Sequence, residues 1–352
     1  MNCCPLAPRG IGGHALGLGL VQRLVDRRPE VASERLIADL VPPPRFADVR
    51  FGTYVPDPDE PTQAAAVAAA EAFAGRLAPP PKKRWFRRAA PPEEPTGIYL
   101  DGGFGVGKTH LLASLWHAAP APNAYGTFVE FTHLVGALGF AATVDALGGH
   151  RLLCVDEFEL DDPGDTVLVS TLLGRLAERG VRLAATSNTL PGRLGEGRFA
   201  AQDFLREIQG LAARFQPVRV DGPDYRHRGT PEAPTPLAAD EVLAAVAGGA
   251  TVDTWPALLA HLASLHPSRY GALLDGVTAV HLLDVGPVPD QSTALRVVVL
   301  ADRLYDRAIP VLASGVGFDQ LFAADMLAGG YRKKYLRAIS RLVSLARDGA
   351  AA

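Results

Sequence analysis

The chain is sparing with sulfur and with excess charge, and both shortages narrow what it can be. Among 352 residues there are three cysteines, two methionines and three tryptophans. Cys3 and Cys4 are adjacent and poorly placed to bridge each other, and Cys154 lies in an apolar run, so neither a disulfide framework nor a cysteine-based zinc site is expected. That usage suits a reducing, cytoplasmic setting. The net charge is −3, so the chain lacks the bulk basic footprint of a nucleic-acid binder and leaves room only for a local patch. No apolar run reaches the length of a membrane span. The stretch Ile11–Leu20 is only weakly apolar, and its glycines and His14 argue for a leader rather than a signal peptide. With 48% hydrophobic and 21% charged residues, the rest is ordinary globular sequence, long enough for two domains.

Glycine, by contrast, is concentrated where it matters. GIYLDGGFGVGKT runs from Gly97 to Thr109, and Gly102-Gly103-Phe104-Gly105-Val106-Gly107-Lys108-Thr109 fits the phosphate-binding pattern G-x-x-x-x-G-K-[ST]. The apolar Ile98–Leu100 enters it and the helical HLLASLW, beginning at His110, leaves it, which is the strand–turn–helix context the motif needs. Glycine lets the backbone curl so that its N–H groups face phosphate oxygens, and a side chain at Gly105 or Gly107 would obstruct the curl. The helix adds the positive end of its dipole. Lys108 is the candidate bridge between β- and γ-phosphates, and Thr109 a candidate Mg²⁺ ligand.

The remaining chain falls into blocks. Residues 1–33 read as a poorly ordered leader, and 34–78 as an arm that starts with a serine-capped helix at Ser33 and ends in the alanine-rich helix Pro61–Leu77. Residues 79–96 form a proline-bounded basic loop, with KKRWFRR at Lys82–Arg88, read as a solvated linker; contact with nucleic acid or an acidic surface is the alternative. From Gly97, the apolar runs Ile98–Leu100, Thr127–Phe131, Leu152–Val155, Val181–Thr186 and Val218–Val220 alternate with helical stretches. That alternation predicts an α/β core over 97–224, five parallel strands flanked by helices, with ligands at the carboxyl ends of the strands. Residues 225–237 are the linker, and 238–352 a smaller, mostly helical domain, with helical spacing at Asp253–Leu265, Leu295–Arg307, Phe318–Ala328 and Tyr331–Ala346, and one candidate strand at Ile309–Ser314.

Two further strand ends carry chemistry. RLLCVDE places Asp156 and Glu157 at the end of an apolar strand. Asp156 is the candidate organiser of Mg²⁺ and its waters, and Glu157 the candidate base for the attacking water. An adjacent glutamate favours hydrolysis over a small-molecule kinase, which needs no water activator. VRLAATSN ends in Asn188, a candidate γ-phosphate sensor, with Thr186 a weaker one.

GGFGVGKTHLL, LLCVDEFELDD, VRLAATSN and VDGPDYRHR occur in this order, and with PPPRF, FGTY, LADRLYDRAIPVLASG and AISRLVSL they resemble the ZapE family of AAA+ ATPases, which includes mitochondrial Afg/Lace-type relatives. The resemblance covers residues 33–346 and implies a P-loop AAA+ core with a helical lid, working with ATP and Mg²⁺ as a homo-oligomeric ring that remodels a protein partner. The bacterial family implies cell division and FtsZ, and the mitochondrial one implies quality control at the inner membrane. Such rings need an arginine acting in trans. Where family members carry arginines before a Phe-Leu pair, this chain has Ala201-Gln202-Asp203, so Arg198 is the nearest candidate, with Arg193 and Arg206 behind it. In the second domain Arg296 matches a family arginine and is the candidate cis sensor and nucleotide contact, while Arg341 is expected to pack structurally. Asp224–Arg228 lies at the hinge, with coupling and salt bridging as its two readings. A DNA-associated loader and a non-hydrolysing ATP switch are the alternative functions.

Overall fold

The structure, a computed structural model, describes residues 22–77, 95–103, 105–158, 163–189, 209–222 and 233–351. Helices α1 (Ser33–Ala38) and α2 (Pro61–Leu77) precede the central sheet. Its strands are β1 (Gly97–Gly102), β2 (Asn123–Thr127), β3 (Leu152–Asp156), β4 (Arg182–Ser187) and β5 (Phe215–Val220). All pair in parallel in the order β2-β3-β4-β1-β5. Between them run α3 (Lys108–Ala118), α4 (Phe128–Leu138), α5 (Phe140–Leu147) and α6 (Pro163–Glu178).

Strand alternation divides the core into two layers. Ile98, Leu100, Leu152, Cys154 and Ala184 pack with Leu111, Leu112 and Leu115 of α3 and Ala66, Ala70 and Phe73 of α2. Tyr99, Leu153, Val155, Leu183 and Ala185 face the other way, onto Phe131 and Leu134 of α4, Leu147 of α5, and Leu172 and Leu176 of α6. Burial on both faces explains the continuous apolar runs of these strands.

The expected strand at Thr127–Phe131 is corrected. Thr127 Oγ1 accepts from the Glu130 amide at 3.2 Å and Glu130 Oε2 accepts from the Thr127 amide at 2.7 Å, a capping box that turns this apolar run into the start of α4. The strand is the preceding NAYGT, whose Tyr125 amide donates to Leu40 O of the arm at 2.8 Å. Likewise Ser33 lies inside α1, whose N-cap is Ala32.

The C-terminal half is mostly helical, as expected, and is organised on a small parallel sheet of which only one strand was foreseen. Helix α7 (Ala239–Ala244) leads to β6 (Thr251–Thr254), α8 (Trp255–Ser264), α9 (Tyr270–Leu273), β7 (Val280–Val285), α10 (Gln291–Asp306), β8 (Val311–Gly315), α11 (Ala324–Ala328) and α12 (Arg332–Ala351). Strand order is β6-β7-β8. Leu237 bridges Ser314 at the outer edge of β8, so the end of the predicted linker belongs to this domain.

The expectation of a poorly ordered leader over 1–33 is corrected for its described part. Gln22 bridges Thr251, and Leu24 is fully buried in the C-terminal core. The buried Asp253 carboxylate accepts from the amides of Leu24 at 2.8 Å and Val25 at 3.2 Å, and Arg27 Nη1 donates to Leu273 O and Asp275 O. The chain then crosses to the nucleotide core, so the N-terminal segment is stitched to both domains.

Candidate functional site

The carboxyl ends of β1, β3 and β4 bring Lys108, Thr109, Asp156, Glu157 and Asn188 into one place. Gly102 closes β1 so tightly against β5 that a Cβ there would stand 2.0 Å from Val220 O. Gly105 and Gly107 have φ of 72° and 88°, the left-handed values that glycine adopts without strain. A Cβ on Gly107 would also meet the Tyr54 ring at 2.4 Å. Tyr54 O–H donates to Val106 O at 2.7 Å, so the arm presses directly on the P-loop. Gly103 is exposed and Val106 buried beside it, while Phe104 lies outside the described residues. The His110 ring is taken up by the arm, with Nε2 2.9 Å from Thr53 Oγ1 and 3.2 Å from Arg50 O.

Lys108 Nζ donates to Gly102 O at 3.0 Å, Gly103 O at 2.5 Å and Asn188 Oδ1 at 3.0 Å. This ties the Asn188 side chain to Lys108 of the P-loop. Thr109 O–H donates to Asp156 Oδ1 at 3.2 Å. Asp156 also accepts from Thr186 O–H at 2.5 Å and, on its other oxygen, from Tyr125 O–H at 2.9 Å. Burial, then the neighbouring Glu157 charge, push the Asp156 carboxyl above its ordinary range, and the three hydroxyls pull it back only in part. Thr186 is therefore an organiser of the carboxylates rather than a sensor, since its Oγ1 also accepts the Glu157 amide at 3.0 Å.

Glu157 has φ of 53°, a left-handed residue without the freedom of glycine. Its side chain meets two arginines from α12. Arg337 Nη1 donates to Glu157 Oε2, and Arg341 Nη2 lies 3.6 Å from Oε1. Asp302 of α10 holds both guanidinium groups from behind, accepting from Arg337 Nη2 at 2.8 Å and from Arg341 Nη1. Burial alone would raise the Asp302 carboxyl, but Arg337 and Arg341 hold it below its ordinary range. Alongside, Arg303 of α10 pairs with Glu130 of α4. These side chains line a cavity of about 270 Å³ that is also lined by Thr109, Asp156 and Glu157 and by Pro42–Phe46 of the arm.

The cis-sensor expectation for Arg296 is corrected. Arg296 Nη1 donates to Leu262 O at 3.0 Å, Leu265 O at 2.9 Å and Tyr270 Oη at 3.3 Å, closing the end of α8 inside its own domain, and it does not line the cavity. Among the described residues, the arginines that pair with Glu157 are Arg337 and Arg341, the second expected only to pack. Their spacing of four puts them on one helix face, and that is the signal that was available. The sequence pattern gives no sign of Tyr125, because the apolar run that reads as a strand begins two residues after it, at Thr127. Arg193, Arg198 and Arg206, the hinge cluster Asp224–Arg228 and the basic loop Lys82–Arg88 all lie outside the described residues.

The donor chemistry fits its expected ligands. A curled glycine backbone, a lysine and a helix N-terminus suit phosphate, and hard oxygens from Thr109 and Asp156 suit Mg²⁺. Among the described residues, no single helix is long and apolar enough to cross a membrane.

A family model described as AFG1-like ATPase matches residues 30–245 and 239–350. The Escherichia coli protein "Cell division protein ZapE" is 28% identical over 298 residues, covering 70% of this chain and 76% of the relative. The fission-yeast "Uncharacterized protein C115.02c" is 30% identical over 162 residues, 38% of this chain and 34% of that protein, so about a third of its length is spanned. Among solved structures, a replication initiator DnaA bound to AMPPCP and single-stranded DNA aligns over 87% of this chain and 93% of its own, at 12% identity and a TM-score of 0.39. DnaI aligns over 53% of this chain and 97% of its own, at 19% identity and a TM-score of 0.40.

Proposed function

The chain belongs to the AFG1-like ATPase family, and on that premise we propose that it couples Mg-ATP hydrolysis to the remodelling of a protein partner, working as a ring of identical subunits. The observation that carries the reading is the reach of a second domain into the hydrolysis site: α12 delivers Arg337 and Arg341 to Glu157, so what happens at the γ-phosphate bears on where that domain sits. An enzyme that merely hydrolysed ATP would have no need of such a connection.

The P-loop backbone and Lys108 hold the β- and γ-phosphates, with the lysine leaving its contacts to Gly102 and Gly103 for phosphate oxygens. Thr109 and Asp156 would hold Mg²⁺, which would supply charge that offsets the phosphates. Glu157 takes the proton of the attacking water, and Asn188 orients that water against the γ-phosphate. The relation to a cell-division protein supports a partner in the division machinery, and the tubulin-like FtsZ is the first to test.

The test is ATP turnover per molecule against protein concentration, with sizing in ATP. Specific activity that rises with concentration, together with an oligomer, is the expected result. A monomer with flat specific activity, and no stimulation by partner, would leave an ATPase that is not a ring remodeller.

A further inference from the structure

Glu157 cannot act as a base in the arrangement described. Both of its carboxylate oxygens face guanidinium groups, Oε2 from Arg337 and Oε1 from Arg341. With both oxygens engaged in this way, neither is turned toward the place an attacking water would occupy. The pairing is also sheltered, with side-chain exposures of 26% for Glu157, 20% for Arg337, 12% for Arg341 and 21% for Asp302. Two cations and two anions close on one another, so the cluster is neutral and needs no outside counter-ion.

We propose that this cluster is an autoinhibitory clasp, in which the C-terminal domain holds the ATPase back by sequestering Glu157, and that the γ-phosphate of bound ATP competes with Glu157 for the arginines without displacing them completely, so that the clasp still limits turnover when ATP is saturating. The proposal rests on the reading of Glu157 as the water-activating base. Glu157 stands at the end of β3, while its three partners stand on α10 and α12 of the other domain, so opening the clasp and moving the domain are one event. The Arg303–Glu130 pair joins α10 to α4 beside it and must yield or pivot in the same motion. The competitor is well placed. Thr109 and Asp156 border the same cavity as Arg337 and Arg341, so a γ-phosphate held there faces both guanidinium groups. Arginine binds phosphate oxygens bidentately and with more charge than a carboxylate offers.

The experiment compares steady-state turnover at saturating Mg-ATP for wild type, Arg337→Gln, Arg341→Gln, the double glutamine variant and Arg337→Lys, each with and without Glu157→Gln. Affinity for a fluorescent ATP analogue, measured without turnover, reports that the nucleotide site is folded. The clasp requires turnover to rise at least threefold in the double glutamine variant, less in Arg337→Lys, which keeps the charge, and the rise to vanish with Glu157→Gln. Unchanged or reduced turnover in both single glutamine variants, with analogue affinity within twofold of wild type, overturns the clasp and leaves the ATPase assignment standing. Wild-type turnover by Glu157→Gln alone removes the base assignment itself, and the clasp with it.

Discussion

At the scale of single residues, Tyr125 and Asp306 have consequences that can be measured. Among the described residues, Tyr125 O–H is one of three hydroxyls fixing Asp156, and the one that meets Oδ2. Tyr125→Phe keeps the ring packing and removes that donor, at a typical cost of ~1.5–3 kcal/mol for a hydrogen bond to a charged group. With Asp156 less firmly aimed, the Mg²⁺ concentration for half-maximal turnover is expected to rise several-fold, while metal-free nucleotide affinity stays put. A Mg²⁺ titration checks this, and an unchanged midpoint would show that Thr109 and Thr186 suffice. Asp306, at the end of α10, is pushed up to about 6 by burial, with Asp302 adding repulsion and Arg341 and Arg303 opposing. Its folded pKa is above its unfolded one, so the folded state binds the extra proton between pH 4 and 6. The associated stability is present below the unfolded pKa and lost as pH rises through 6. Asp306→Asn is therefore expected to stabilise the fold at pH 7.5 by at most roughly 3 kcal/mol, read as a higher melting temperature, and to have little effect near pH 4. His133 has the opposite sign. Burial, with His266 and Arg303 nearby, lowers it to about 4, so its contribution is present above its unfolded pKa and lost as pH falls from 6.5 toward 4. His133→Gln should flatten that acid limb in a pH series of melts, and an unaltered limb would mean that His133 is neutral in neither state's favour.

Among the elements, what was legible in the sequence was what local chemistry dictates. A phosphate cradle needs glycines, a lysine and a threonine at fixed spacing, and paired carboxylates must end a buried strand, so Lys108, Thr109, Asp156, Glu157 and Asn188 could be named from short windows. The arginines could not be sorted in that way. Arg296, Arg337 and Arg341 are all arginines on amphipathic helices, and only packing shows that the first is spent on the carbonyls of Leu262 and Leu265 while the others meet the carboxylate of Glu157, 180 positions from Arg337. Strand β2 was misplaced because NAYGT has weak strand propensity and the apolar run after it is claimed by a capping box. The N-terminal segment is illegible for a related reason: Leu24-Val25 is a short apolar pair between polar residues, and the burial of Leu24 depends on Asp253, 229 positions distant, receiving its amide. Leu24→Ala is expected to destabilise the C-terminal domain by about 2–5 kcal/mol, read as an earlier melting transition, with ATP-analogue affinity of the core retained. Loss of less than about 1 kcal/mol would show that the segment merely rests on that domain.

At the scale of the whole molecule, the described residues form two parallel sheets with their helices, connected in more than one way. The covalent connection runs through the segment before Leu237; the N-terminal chain passes from β6 across to β2 and the P-loop; and the ion pairs of Glu157 and Glu130 bridge the cleft directly. Tyr54 on Val106 places one end of the arm on the nucleotide cradle, and Leu24 places the other in the C-terminal core, so displacement of that domain is felt where phosphate binds. Lys108→Ala removes the charge that holds phosphate and is expected to weaken ATP affinity at least tenfold in equilibrium binding; wild-type affinity would refute the P-loop role. All of this turns on Glu157 being the group that activates water. The measurement that addresses it most directly is turnover and ATP affinity on the same preparation of Glu157→Gln beside wild type. The expected result is affinity within about threefold of wild type and turnover reduced by about a hundredfold or more. Turnover equal to wild type would contradict it.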